Sequence, residues 1–89
     1  FKNTLNDAID SDFSYLEIIN SKFINIGNDA IDGSGSEIKI TNNLFDTVLD
    51  KAISAGERSI IISNNNYLSK ILFITQANRK LICLCLFTT

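Results

Sequence analysis

Histidine, methionine, tryptophan and proline are all missing from this 89-residue chain, and cysteine occurs only twice. Without histidine, Cys83 and Cys85 have no partners with which to build a zinc site. A disulfide between strand neighbours two apart would be strained, so both read as small apolar-like strand residues. Charge is scarce as well: eight Lys and Arg against ten Asp and Glu leave a net charge of −2, which excludes a basic nucleic-acid binder. A hydrophobic content of 45% excludes a disordered tail. The longest apolar run, Leu81 to Phe87, is too short to span a bilayer, and no stretch carries a sustained helical period. With no methionine there is no initiator, and the chain opens on Phe1, itself part of a repeat. The expectation is a piece of a longer protein, any signal peptide lying outside it.

What is present is an echo every 22 residues. Leu16, Ile38, Ile60 and Ile82 recur at that interval, as do Ile18, Ile40, Ile62 and Leu84. Asn20, Asn42 and Asn64 follow in step, and so do Phe1, Phe23, Phe45 and Tyr67. A fixed period of this length marks a solenoid, in which each repeat buries its apolar face only against its neighbours.

Each repeat reads as three short strands. Leu16-Glu17-Ile18, Ile38-Lys39-Ile40 and Ile60-Ile61-Ile62 place aliphatic residues at spacing two, the period of a strand with one buried face. Asn20, Asn42 or Asn64 then ends the strand, asparagine being tolerant of left-handed backbone angles. Phe23, Phe45 and Tyr67 open a second strand, continued by Ile26 and Val48, and Ala8-Ile9-Asp10, Ala30-Ile31-Asp32 and Ala52-Ile53-Ser54 mark a third. Gly33, Gly35 and Gly56 fall in the connection back to the first strand. A leucine-rich repeat would need asparagine three residues after the second strand leucine and a helical return; here the spacing is two and the return is strand-like. The pattern therefore predicts an all-β parallel β-helix of about four coils. Coils about 4.8 Å apart would stack aliphatic on aliphatic, ring on ring and amide on amide. These Asn and Phe/Tyr ladders serve structure.

The echo fades after Tyr67. Thr75 stands where Ile9, Ile31 and Ile53 would be, and Lys70 where Ile26 and Val48 would be, although Ile82 and Leu84 return to step. Residues 1–66 read as β-helix coils, and 67–89 as a degenerate last coil or a divergent tail. The uncharged, β-prone segment Leu81 to Phe87 has no polar cap, so further coils of the same chain or an end-to-end partner are expected there.

One constellation could carry chemistry, and it is acidic. Asn6-Asp7-Ala8-Ile9-Asp10 recurs as Asn28-Asp29-Ala30-Ile31-Asp32, then as Asp50-Lys51-Ala52-Ile53-Ser54. If the isoleucines face inward, Asp10, Asp32 and Ser54 form an outward column, with Asp7, Asp29 and Lys51 near the preceding turn. Stacked Asp10 and Asp32 repel unless something offsets the charge: a bound Ca²⁺, or Lys51 or Arg58 on the next coil. Paired carboxylates on an exposed sheet could instead serve acid/base chemistry on a sugar. The plainer alternative is that the aspartates form turns and solubilise the surface.

Asn28 to Asp32, Ile38 to Asn43 and Asp50 to Glu57 resemble the repeats of the right-handed parallel β-helix superfamily, which includes pectate lyases, polygalacturonases, alginate epimerases and NosD-like periplasmic proteins. The resemblance covers roughly residues 1–66 and marks the fold rather than one activity. The polygalacturonase D-D, G-H-G and R-I-K motifs are absent. A lyase would use acidic Ca²⁺ ligands and a Lys or Arg base, which Asp10, Asp32, Lys51 and Arg58 match by residue type alone. The resemblance implies a secreted, periplasmic or cell-surface protein associated with polysaccharide. For these residues by themselves a non-catalytic role is expected, the alternative being part of a polysaccharide lyase or epimerase with an acidic, Ca²⁺-binding face.

Overall fold

The computed structural model describes the backbone of residues 1–77 and 82–88, with side chains through Phe73. Nine strands are described: β1 (Lys2–Thr4), β2 (Ile9–Asp12), β3 (Tyr15–Ile19), β4 (Lys22–Ile26), β5 (Ile31–Ser34), β6 (Glu37–Thr41), β7 (Leu44–Ala55), β8 (Ile60–Ala77) and β9 (Ile82–Thr88). Every pairing among them is parallel. Three faces result: β3, β6, β8 and β9 on the first; β1, β4, β7 and β8 on the second; β2, β5, β7 and β8 on the third. This is the expected all-β parallel solenoid. It makes about three turns where the echo suggested about four; β7 runs through one corner to serve two faces, and β8 through two to serve three. No helix among the described residues is long and apolar enough to cross a membrane.

Alternation decides what is inside. Ile18, Ile38 and Ile40 from the first face, Phe23, Ile26, Phe45 and Val48 from the second, and Ile31 and Ile53 from the third converge in one core. Phe1, Phe23 and Phe45 stack with ring centroids 5.0 and 4.8 Å apart and planes within 9° of parallel, the expected aromatic ladder. Gly27 lets the first two turns approach: a Cβ there would meet the Leu5 carbonyl oxygen at 2.5 Å.

The third turn departs from the echo. Between the first two turns paired residues are 22 apart, as in Leu16↔Ile38 and Phe23↔Phe45. Between the second and third the spacing is 23: Ile38 pairs with Ile61, Ile40 with Ser63, and Phe45 with Leu68. The extra residue enters in the turn Gly56 to Ser59, where Arg58 takes φ 60, and a bulge between Val48 and Lys51 restores the 22-residue step at Ile53↔Thr75. A one-residue shift exchanges the two faces of a strand. Ile61, Ser63 and Leu68 are therefore buried, whereas Ile60 and Ile62 are only half-buried. Tyr67 leaves the aromatic ladder for the surface, 48% exposed, and pairs with Leu44.

The asparagine ladder is corrected in the same way. Asn20 and Asn42 take the left-handed turn conformation as expected (φ 54 and 57), but in the third turn Asn65 does so, not Asn64 (φ 56). The amides that bond from coil to coil are one residue further on, at the buried Asn43 and Asn66. Beyond the bulge, β8 continues to Ala77 and pairs in parallel with β9, with Ile60 opposite Ile82. The side chains of Cys83, Cys85, Ile82 and Leu84 lie outside the described residues.

Candidate functional site

Each corner of the solenoid must satisfy backbone N–H groups that the flat sheets leave over, and each does so with a different side chain reaching to the neighbouring coil. At the corner after the first face, Ser21 N–H donates to Asn43 Oδ1 (2.8 Å) and Asn43 N–H to Asn66 Oδ1 (2.9 Å). The Asn43 and Asn66 amides in turn donate to the carbonyls of Ile18 and Ile40, both at 2.9 Å. Before the first face the acceptors are serine hydroxyls: Ser14 N–H to Ser36 Oγ (3.2 Å) and Ser36 N–H to Ser59 Oγ (3.4 Å). Before the third face they are carboxylates: Asp29 N–H to Asp7 Oδ1 (2.9 Å) and Lys51 N–H to Asp29 Oδ1 (3.1 Å).

The aspartates at this last corner are the centre of the acidic constellation. Asp7, Asp29 and Asp32 bring one carboxylate oxygen each within 4.8 Å of one another. Asp10 is in register with Asp32, and Asp32 with Ser54, so the outward column exists; yet Asp10 is exposed and outside this trio. Burial, reinforced by the charges of Asp7 and Asp29 and a hydrogen bond with Asp7, raises the Asp32 carboxyl to about 6. Burial also raises Asp29, against the opposing pull of the Lys51 N–H and ammonium. Lys51 Nζ stands 2.9 Å from Asp50 and 3.7 Å from Asp29, and the hydrogen bond to Asp50 leads in raising its own pKa. Arg58 sits exposed in its turn, and no ion pair among the described residues joins it to the aspartates.

Hard cations such as Ca²⁺ take six to eight oxygen ligands, and the trio offers the right donor type. Two of its oxygens already accept backbone N–H groups, and the Lys51 ammonium lies beside Asp29. The hydrogen bond between Asp32 and Asp7 and the Lys51 ammonium beside Asp29 both ease the like-charge crowding.

A second site escaped the sequence reading. The asparagine corner carries a shallow, open groove of about 380 Å³, lined by Asn20, Asn42, Asn65, Lys22, Leu44 and Tyr67 with Ser21 and Asn43. One wall is the row of left-handed asparagines, one per turn. The other is the column Lys22, Leu44 and Tyr67, paired in register. The signal lay in Gly56 to Ser59: an extra residue there brings Asn65 rather than Asn64 to the corner and turns Tyr67 outward.

Comparison with known proteins supplies no relative: no family model matches the chain, and no curated protein or solved structure does.

Proposed function

We propose that this chain is a non-catalytic segment of a secreted or cell-surface β-solenoid that associates with polysaccharide. The corner groove carries the reading. Primary amides both donate and accept hydrogen bonds, as sugar hydroxyls do, and three are presented one coil apart. The opposite wall supplies an aromatic face at Tyr67, an aliphatic one at Leu44 and a cation at Lys22, a mixture suited to a polymer with alternating C–H patches and polar groups. Retention of the chain in affinity gels cast with neutral and uronate polymers tests the reading. Binding to at least one polymer, weakened about tenfold (~1.4 kcal/mol) by Tyr67→Ala, is expected; migration unaltered by every polymer removes the reading.

The second reading, part of a lyase or epimerase, is favoured by the Asp32 carboxyl, which at about 6 still carries its proton in mild acid, as a general acid requires. The candidate base argues the other way. Lys51 is held protonated by Asp50 and Asp29, whereas a catalytic lysine needs its pKa lowered. Appearance of unsaturated uronate product, followed by absorbance, tests this reading. Ca²⁺ titration with thermal melting tests its metal-dependent form: no stabilisation in the parent, and none to lose in Asp32→Ala, excludes it.

A further inference from the structure

Two runs of three identical residues, Ile60-Ile61-Ile62 and Asn64-Asn65-Asn66, lie in the one strand whose spacing to its neighbour differs from the repeat. We propose that residues 60–67 form a two-register element, able to pair with the second turn at a spacing of 23, as observed, or at 22, and that the exchange moves Tyr67 between the groove and the core.

In the observed register Ile61, Ser63, Asn66 and Leu68 point inward against Ile38, Ile40, Asn43 and Phe45. Moving residues 60–67 by one position sets Ile60, Ile62, Asn65 and Tyr67 against those same partners. The triplets make two of the four exchanges chemically silent, isoleucine for isoleucine and asparagine for asparagine. The other two change the packing: Ile62 replaces Ser63 beside Ile40 and gives up the 2.7 Å bond that Asn66 Nδ2 donates to the Ser63 hydroxyl, while the Tyr67 ring extends the Phe1–Phe23–Phe45 stack.

The shift has a natural end. Val48 is buried opposite Ile71, and a complete slip would put the Lys70 ammonium in that column at the cost of an unpaired buried charge. The corner pair Thr47 and Lys70, both left-handed at φ 62 and 57, therefore stays in place, and the extra residue migrates from the Gly56 to Ser59 turn into a bulge at Leu68 and Ser69. What the turn gives up is the Ser59 acceptor of the buried Ser36 N–H, and that bond is a long one. Ser59 Oγ accepts from Ser36 N–H and donates to the Gly33 carbonyl, both at 3.4 Å, the longest side-chain bonds at any corner. In the shifted register Tyr67 withdraws from the groove wall, so an occupant resting on Tyr67 holds the 23-residue register, and an empty groove releases it. The register exchange stands without regard to which ligand fills the groove.

Backbone ¹⁵N relaxation dispersion on the parent and two variants tests it. In the parent, exchange confined to residues 37–45, 60–68 and the strand β9 that pairs with them is expected. Ile62→Lys is tolerated at the half-buried position of the observed register but would be buried in the shifted one, so it quenches that exchange. Leu68→Lys penalises the observed register and brings contacts between the Tyr67 and Phe45 rings into the NOE spectrum. Flat dispersion in the parent overturns the proposal. So does exchange that persists unchanged in Ile62→Lys, or a folded Leu68→Lys in which Tyr67 stays at the surface.

Discussion

From the first turn to the second, every paired position is 22 residues apart and the core columns keep their chemistry, phenylalanine on phenylalanine and isoleucine on isoleucine. From the second turn to the third, the first two faces run at 23, and the columns change to isoleucine on serine and phenylalanine on leucine. The corners nevertheless remain closed, since Asn66 and Ser59 occupy the shifted positions with the same chemistry as Asn43 and Ser36. Core columns thus absorb a change of residue provided something apolar or hydrogen-bonded fills the space, whereas the corner acceptors do not change type at those positions. A buried backbone N–H without a partner is the harsher penalty.

The sharpest way to break this contrast is Phe23→Ala. It removes the middle ring of the stack, fully buried between Phe1 and Phe45, and a loss of about 4 kcal/mol in urea unfolding is expected. Leu68→Ala, in the same column of the third turn, removes a smaller side chain and should cost about 2 kcal/mol. Asn43→Ala leaves the Ser21 N–H and the Ile18 carbonyl without their partner and should cost about 2 kcal/mol; Asn64→Ala, exposed and off the ladder, should change the midpoint little. Equal losses from these two asparagines would return the ladder to the 22-residue step.

The smallest effect is one of pH. Asp32 titrates near 6 in the folded chain and near the ordinary carboxylate value of about 3.9 when unfolded. The folded state therefore binds the proton more tightly, and that contribution to stability is complete below about pH 4 and fades as the pH rises through about 6. After allowance for solvent screening at this half-exposed site the change is about 1 kcal/mol. Thermal melts from pH 4 to 7 should show it in the parent and show a flatter profile in Asp32→Asn. A parent stability that rises across this interval would reverse the assigned direction.

Much of this was readable beforehand. The aliphatic pairs at spacing two, the Phe1–Phe23–Phe45 ladder and the Asp10–Asp32–Ser54 column are consequences of a period that places residue n beside residue n+22. The isoleucine and asparagine triplets concealed where that period breaks, because a shift by one leaves the same residue type in place at those positions. The acidic trio was half legible. Asp10 stands in register with Asp32 as the sequence suggested; what the sequence did not show is that corner curvature also brings Asp7 and Asp29 beside Asp32.

Composition and periodicity by themselves pointed to a parallel β-solenoid, since stacking successive coils buries short apolar stripes repeated at a constant interval. Tertiary structure alone decided the register of the third turn, and with it the places of Tyr67, Asn65 and Asn66. The physical reason is that alternation allows either face of Ile60 to Ile62 to turn inward. In the observed register Ile61 faces the core opposite Ile38, Leu68 opposite Phe45, and Asn66 bonds to the Asn43 N–H.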